Sequence, residues 1–175
     1  MIVHPQFNAA SMANNLALLK INLENPLPDK ENLDNLPRRA TVHLPSPGQK
    51  FTDLVTLVGY GSTSNRVPRE SGEKRLVTLP IAALARCRSL YGQNLINSGQ
   101  LCAGDSYTGA GLCQGDAGSG AVQLDGDSSE EGGAGRQVLV GVGSFGFDCG
   151  NGRYPSVFTA VADYVEWIQN STSSV

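Results

Sequence analysis

The side chains of this 175-residue chain that could do chemistry gather in one run, Cys113-Gln114-Gly115-Asp116-Ala117-Gly118-Ser119-Gly120-Ala121. It holds one acid, Asp116, and one hydroxyl, Ser119, among glycines that permit a sharp turn. A hydroxyl becomes a nucleophile only when a base removes its proton. The two histidines are poor candidates for that base. His4 precedes Pro5 and His43 lies in Val42-His43-Leu44-Pro45, and both read as surface or packing residues. Cys87, Cys102, Cys113 and Cys149 complete the reactive set. An even number of cysteines favours an oxidising compartment, and four allow three connectivities. Asn170-Ser171-Thr172 is an N-glycosylation sequon. The acidic stretch with Asp125, Asp127, Glu130 and Glu131 follows no established calcium-loop spacing and reads as a solvated hairpin tip. No metal site and no cofactor are expected.

Short β segments must position these groups. Ile2-Val3 and Leu16 to Leu23 read as strand material, and proline-rich Asn25 to Arg39 as a connector. Thr41 to Leu44 reads as a short strand, and Thr52 to Val58 as a β-branched strand running into Gly59-Tyr60-Gly61. Val77 to Pro80 predicts a strand leading into a short helix over Ile81 to Leu90. Val138 to Gly143 has the length and apolar content of a buried strand. Val161 to Gln169 carries Val161, Tyr164, Val165 and Ile168 at helical spacing. Many short strands and a terminal helix make an all-β fold.

Composition agrees. Charged residues are only 17% of the chain, and 21 glycines with 9 prolines imply many turns. A net charge of −3 with no basic stripe argues against a nucleic-acid partner. No apolar run approaches the roughly 20 residues that cross a bilayer, so no membrane association is expected. The N-terminus does not have the form of a signal peptide, which conflicts with the cysteines. The expectation is that the polypeptide lacks its natural N-terminal part.

The run from Cys113 to Gly120 resembles the C-x-G-D-S-G-G-P signature of the trypsin/chymotrypsin family. Other segments resemble the family in the right order. His4-Pro5-Gln6-Phe7 with Asn14-Asn15-Leu16-Ala17-Leu18-Leu19-Lys20 is similar to H-P-x-[FY] … N-D-I-A-L-L-K. Val55 to Gly61 is similar to V-x-G-W-G, and Leu101-Cys102-Ala103-Gly104 to L-C-A-G. Ser144-Phe145-Gly146, Cys149, Pro155 to Thr159 and Tyr164 to Ile168 are similar to S-W-G … C … P-G-V-Y-T … Y-x-x-W-I. The resemblance implies a trypsin-like double β-barrel. The chain would hold the end of the first barrel and the connector over 1–50, then the complete second barrel and C-terminal helix over 51–175. The strand carrying the catalytic histidine would lie upstream of Met1. It also implies disulfides Cys87–Cys102 and Cys113–Cys149, each stabilising by about 3–4 kcal/mol on chain-entropy grounds. A further family bridge would join the positions of Val55 and Gln123, where both cysteines are absent.

By the same resemblance the catalytic positions are degenerate. Ala117 occupies the place of the nucleophilic serine, and a methyl group has neither lone pair nor proton to give. Asn15 occupies the place of the acid that orients the histidine, a change that costs about 10⁴-fold in kcat in the family. A slip of one residue would put Asn14 there instead. Ser119 takes a family glycine position and is expected to aim elsewhere. The oxyanion-hole backbone falls at Gly115 and Ala117, and the specificity pocket at Gly111, Ser144, Phe145, Gly146 and Ser156. Asp116 matches the aspartate that pairs with the new terminal ammonium of activated members, and needs another partner here. Asn170 is a possible glycosylation site. These features point to a secreted, catalytically inactive homologue that binds a protein partner as decoy, inhibitor or regulatory cofactor. The alternatives are a serine-type endopeptidase and a partial gene product without function.

Overall fold

The computed structural model describes residues 1–20, 42–63, 72–125, 136–149 and 151–173. The acidic stretch from Asp127 to Glu131 and the whole of the expected connector, Asn25 to Arg39, lie outside them. Strands β1 (Ile2–Val3) and β2 (Ala17–Leu18) form a separate antiparallel pair, with Ile2 opposite Leu18. The remaining strands are β3 (Val42–His43), β4 (Leu54–Gly59), β5 (Arg75–Ala82), β6 (Gln100–Ala103), β7 (Gly120–Asp125), β8 (Arg136–Phe145) and β9 (Ser156–Ala160). Their order is β3-β8-β7-β4-β5-β6-β9, and β8 also pairs with β9. That last pairing closes a six-stranded barrel, with β3 running parallel to β8 outside it.

Alternation drives the closure. In β4, Val55 and Leu57 point into the barrel while Leu54 stays exposed. Leu79 from β5, Ala103 from β6, Ala121 from β7, Val140 from β8 and Phe158 from β9 meet them in one core. Burying a side chain such as Phe158 contributes roughly 1.5–3 kcal/mol. Val55 fills its missing-cysteine position with a fully buried apolar side chain. Gln123, at the other missing cysteine, donates from Nε2 to the Thr52 carbonyl at 2.7 Å.

Helix α1 (Leu84–Tyr91) follows β5 and stops at Gly92, whose positive φ of 89° suits glycine. It begins later than the sequence predicts, because β5 continues through Ile81 and Ala82. These pair with Ala103 and Cys102 of β6, and the Ile81 N–H donates to the Asp53 carbonyl. On its inner face α1 buries Cys87, bridged to Cys102. The C-terminal segment also departs from the expectation. Val161–Asp163 is a 3-10 turn, and only Val165–Ser173 is the α-helix α2. Val161, Tyr164 and Val165 are nonetheless buried as their spacing predicts. Strands β6, β7 and β9 were not expected as strands, since each is a short segment inside a motif rich in Gly, Cys or Pro.

Candidate functional site

The loop from Cys113 to Ser119 is held by the strands around it. The Gly118 N–H donates to the Gly143 carbonyl at 2.8 Å, and the Gly143 N–H returns a 2.8 Å bond to the Ser119 carbonyl. The Ser62 N–H, just beyond β4, donates to the Gln114 carbonyl. The disulfide Cys113–Cys149 ties the start of the loop to the segment after β8. Both disulfides are therefore the pairs that the resemblance implies.

Between this loop and the end of β8 lies a cavity of about 260 Å³. Gly115 and Ala117 form one wall, and Ser144, Phe145 and Gly146 face them. Among the described residues, the N–H groups of Gly115 and Ala117 donate to no protein acceptor. Both residues are exposed at the edge of the cavity. Ala117 presents a methyl there. Ser119 does not line the cavity. Its hydroxyl lies on the far side of the loop, 3.4 Å from where a side chain at Gly59 would begin.

Asn15 approaches from the other side. Its Nδ2 donates to the Ser144 Oγ at 2.9 Å, and its carbonyl accepts from the Thr159 hydroxyl at 2.8 Å. Asn14 turns away, accepting from the Tyr164 hydroxyl and donating to the Gln6 carbonyl. Of the two asparagines, Asn15 is the one that reaches the cavity wall. Neither histidine reaches it. His4 packs its ring against Tyr164 and Trp167, and His43 sits on β3 opposite Val138.

Two of the residues expected at the specificity pocket lie outside the lining of this cavity. Gly111 and Ser156 do not line this cavity. The Ser156 hydroxyl accepts the Leu112 N–H at 2.6 Å, and it occupies the space where a side chain at Gly111 would start. Gly111 opens instead into a neighbouring cavity of about 530 Å³, together with Gly59, Gly61 and Asp116. Asp148, which the sequence reading passed over, also lines the smaller cavity.

Asp116 has found its partners in the backbone. Oδ1 accepts from the Gly61 N–H at 2.8 Å and Oδ2 from the Cys113 N–H at 3.0 Å, with the residue only 8% exposed. A Cβ at Gly59 or Gly61 would overlap this carboxylate, so the two glycines of the Gly-Tyr-Gly turn are the space it needs.

An aromatic group supports the Phe145 wall. Tyr91 meets Phe145 edge-to-face at 5.7 Å and Tyr154 at 5.3 Å. Its hydroxyl donates to the Pro155 carbonyl and accepts the Phe147 N–H. Burial pushes the Tyr91 phenol above its usual range, partly offset by that N–H. No sequence signal marks Tyr91, which is simply the last residue of α1. Among the described residues, no cluster of acids, histidines and cysteines could hold a metal ion, and no helix is long and apolar enough to cross a membrane.

A closed β-barrel whose glycine-rich loop is bridged to the segment after β8 has the architecture of a trypsin-like serine-protease barrel. The trypsin family profile matches residues 1–168. The chain is 31% identical over 177 residues to the trypsin of Phaedon cochleariae, covering 98% of itself and 59% of that protein. It is 32% identical over 172 residues to trypsin-1 of Astacus astacus, covering 96% of itself and 64% of that protein. Coagulation factor XII of Cavia porcellus is 32% identical over 178 residues, with 98% of this chain and 28% of that protein covered. This chain belongs to the trypsin family of serine proteases. It spans roughly three-fifths of the length of the two trypsins it matches.

Proposed function

We propose that this protein is a secreted, non-catalytic member of the trypsin family that acts by binding another protein, as a decoy, inhibitor or regulatory cofactor. The observation that supports this most is Ala117. Its methyl stands where the family signature has the reactive hydroxyl; among the described residues no imidazole lines this cavity, and the one hydroxyl that does, on Ser144, accepts from Asn15. Hydrolysis needs a nucleophile and a base, and removing the serine from a complete triad already costs on the order of 10⁶ in kcat. The surface around the site keeps the means to hold a peptide: exposed backbone donors, an aromatic wall and a small cavity. The two disulfides favour an extracellular setting.

The test is labelling of the purified protein with a fluorophosphonate probe, alongside turnover of a peptide library. Neither labelling nor turnover is expected, and a labelled serine would overturn the proposal.

A second reading, a serine endopeptidase, is favoured by relatives named trypsin and coagulation factor XII. It needs Ser119 as nucleophile. The placement of that hydroxyl behind the loop speaks against it.

A further inference from the structure

We propose that Asn170 carries an N-linked glycan. The inference rests on the reading of this chain as a secreted protein. Asn170-Ser171-Thr172 is the only Asn-x-Ser/Thr sequence in the chain, and it falls in the last turns of α2. Both Asn170 and Thr172 are exposed. Helix α2 buries Val165 near its start, whereas Glu166, Gln169 and Asn170 face outward. A bulky hydrophilic oligosaccharide there would displace no packed side chain. No residue of α2 lines the cavity beside Ala117, so the glycan would leave that surface open.

The hydroxyls at the end of the helix bond locally. The Thr172 hydroxyl donates to the Ile168 carbonyl at 2.9 Å and lies 3.1 Å from the Gln169 carbonyl, and the Ser173 hydroxyl donates to Gln169 at 2.8 Å. Terminal helical turns fray at little cost, and such an opening presents the Thr172 hydroxyl and the Asn170 amide together. The donor is a lipid pyrophosphate-linked oligosaccharide. The sugar C1–O bond to pyrophosphate breaks, a C1–Nδ2 bond forms at Asn170, one Nδ2 proton is released, and the lipid pyrophosphate leaves. The chain supplies the acceptor amide, and no redox change is involved.

The full-length protein secreted by eukaryotic cells provides the test. Peptide N-glycosidase treatment should shift its mobility by the mass of one glycan and leave aspartate at position 170 by mass spectrometry. Asn170→Gln and Thr172→Ala should both abolish the shift, while Thr172→Ser retains it. Circular dichroism matching the parent shows that the variants are folded. Secreted, disulfide-bonded protein with an unmodified Asn170 would overturn this proposal alone. Protein retained in the cytosol with reduced cysteines would overturn the secretion reading and the glycan with it.

Discussion

The Asn15 side-chain amide donates to the Ser144 hydroxyl at 2.9 Å, joining residues 129 positions apart in the sequence. Ser144 is buried at the end of β8, so its oxygen would otherwise be desolvated without a donor. Asn15→Ala should lower stability by about 1 kcal/mol, read as a reduced thermal midpoint. Asn15→Asp should keep the contact, with Ser144 now donating to the carboxylate. Peptide turnover should stay at background in both variants.

Ala117→Ser supplies a hydroxyl at the cavity edge but nothing to deprotonate it, since neither His4 nor His43 lines that cavity. Fluorophosphonate labelling of this variant should remain at background. Labelling at residue 117 would show that a base reaches the site.

Gly111 and Ser156 compete for one volume. Gly111→Ala should destabilise by about 1–3 kcal/mol, because the new methyl meets the Ser156 hydroxyl. Adding Ser156→Gly should recover part of that loss. The coupling in a double-mutant cycle of denaturant unfolding is the measurement.

Asp116 accepts two backbone N–H groups from positions far apart in sequence. Asp116→Asn replaces one acceptor oxygen with an NH₂ that faces a donor. A loss of about 1.5–3 kcal/mol is expected, as for hydrogen bonds to a charged group. Gly61→Ala should be at least as damaging, because the carboxylate must be displaced.

Burial raises the Tyr91 and Tyr164 phenols, with the Asp163 carboxylate adding to the rise at Tyr164. A raised folded-state value means that the fold favours the neutral phenol. That contribution is fully present below the unfolded value of about 10 and is lost as pH rises through the higher folded value. Phenolate absorbance during alkaline titration should therefore include a late component that loses one step in Tyr91→Phe and another in Tyr164→Phe. Stability should fall over the same alkaline window.

Strands with clear alternation or long apolar runs, β4 and β8, were legible from the sequence, as was the buried stripe of the terminal segment. What the sequence did not disclose are the contacts that depend on barrel closure. Leu112 and Ser156 are 44 residues apart, and their bond exists only because β9 pairs with both β6 and β8. No local pattern announces that a hydroxyl will fill the space beside a glycine. The start of α1 was misplaced for a related reason, since the pairing with β6 that carries β5 on past Pro80 through Ile81 and Ala82 is set by a segment some twenty residues away. The role of Gly59 and Gly61 was equally silent, because the carboxylate they accommodate arrives from a distant loop.

The ties on Asn14 and Asn15 come from Ser144, Thr159 and Tyr164, up to 150 residues downstream. On a ribosome the first twenty residues emerge long before any of these partners exists. Non-local contacts of this kind close late, after the loop entropy between them has been overcome. Neither asparagine belongs to the barrel's hydrophobic core. The β1–β2 pair cannot complete these ties until the chain has been made through Tyr164, so a segment made earlier than the barrel settles into place after it.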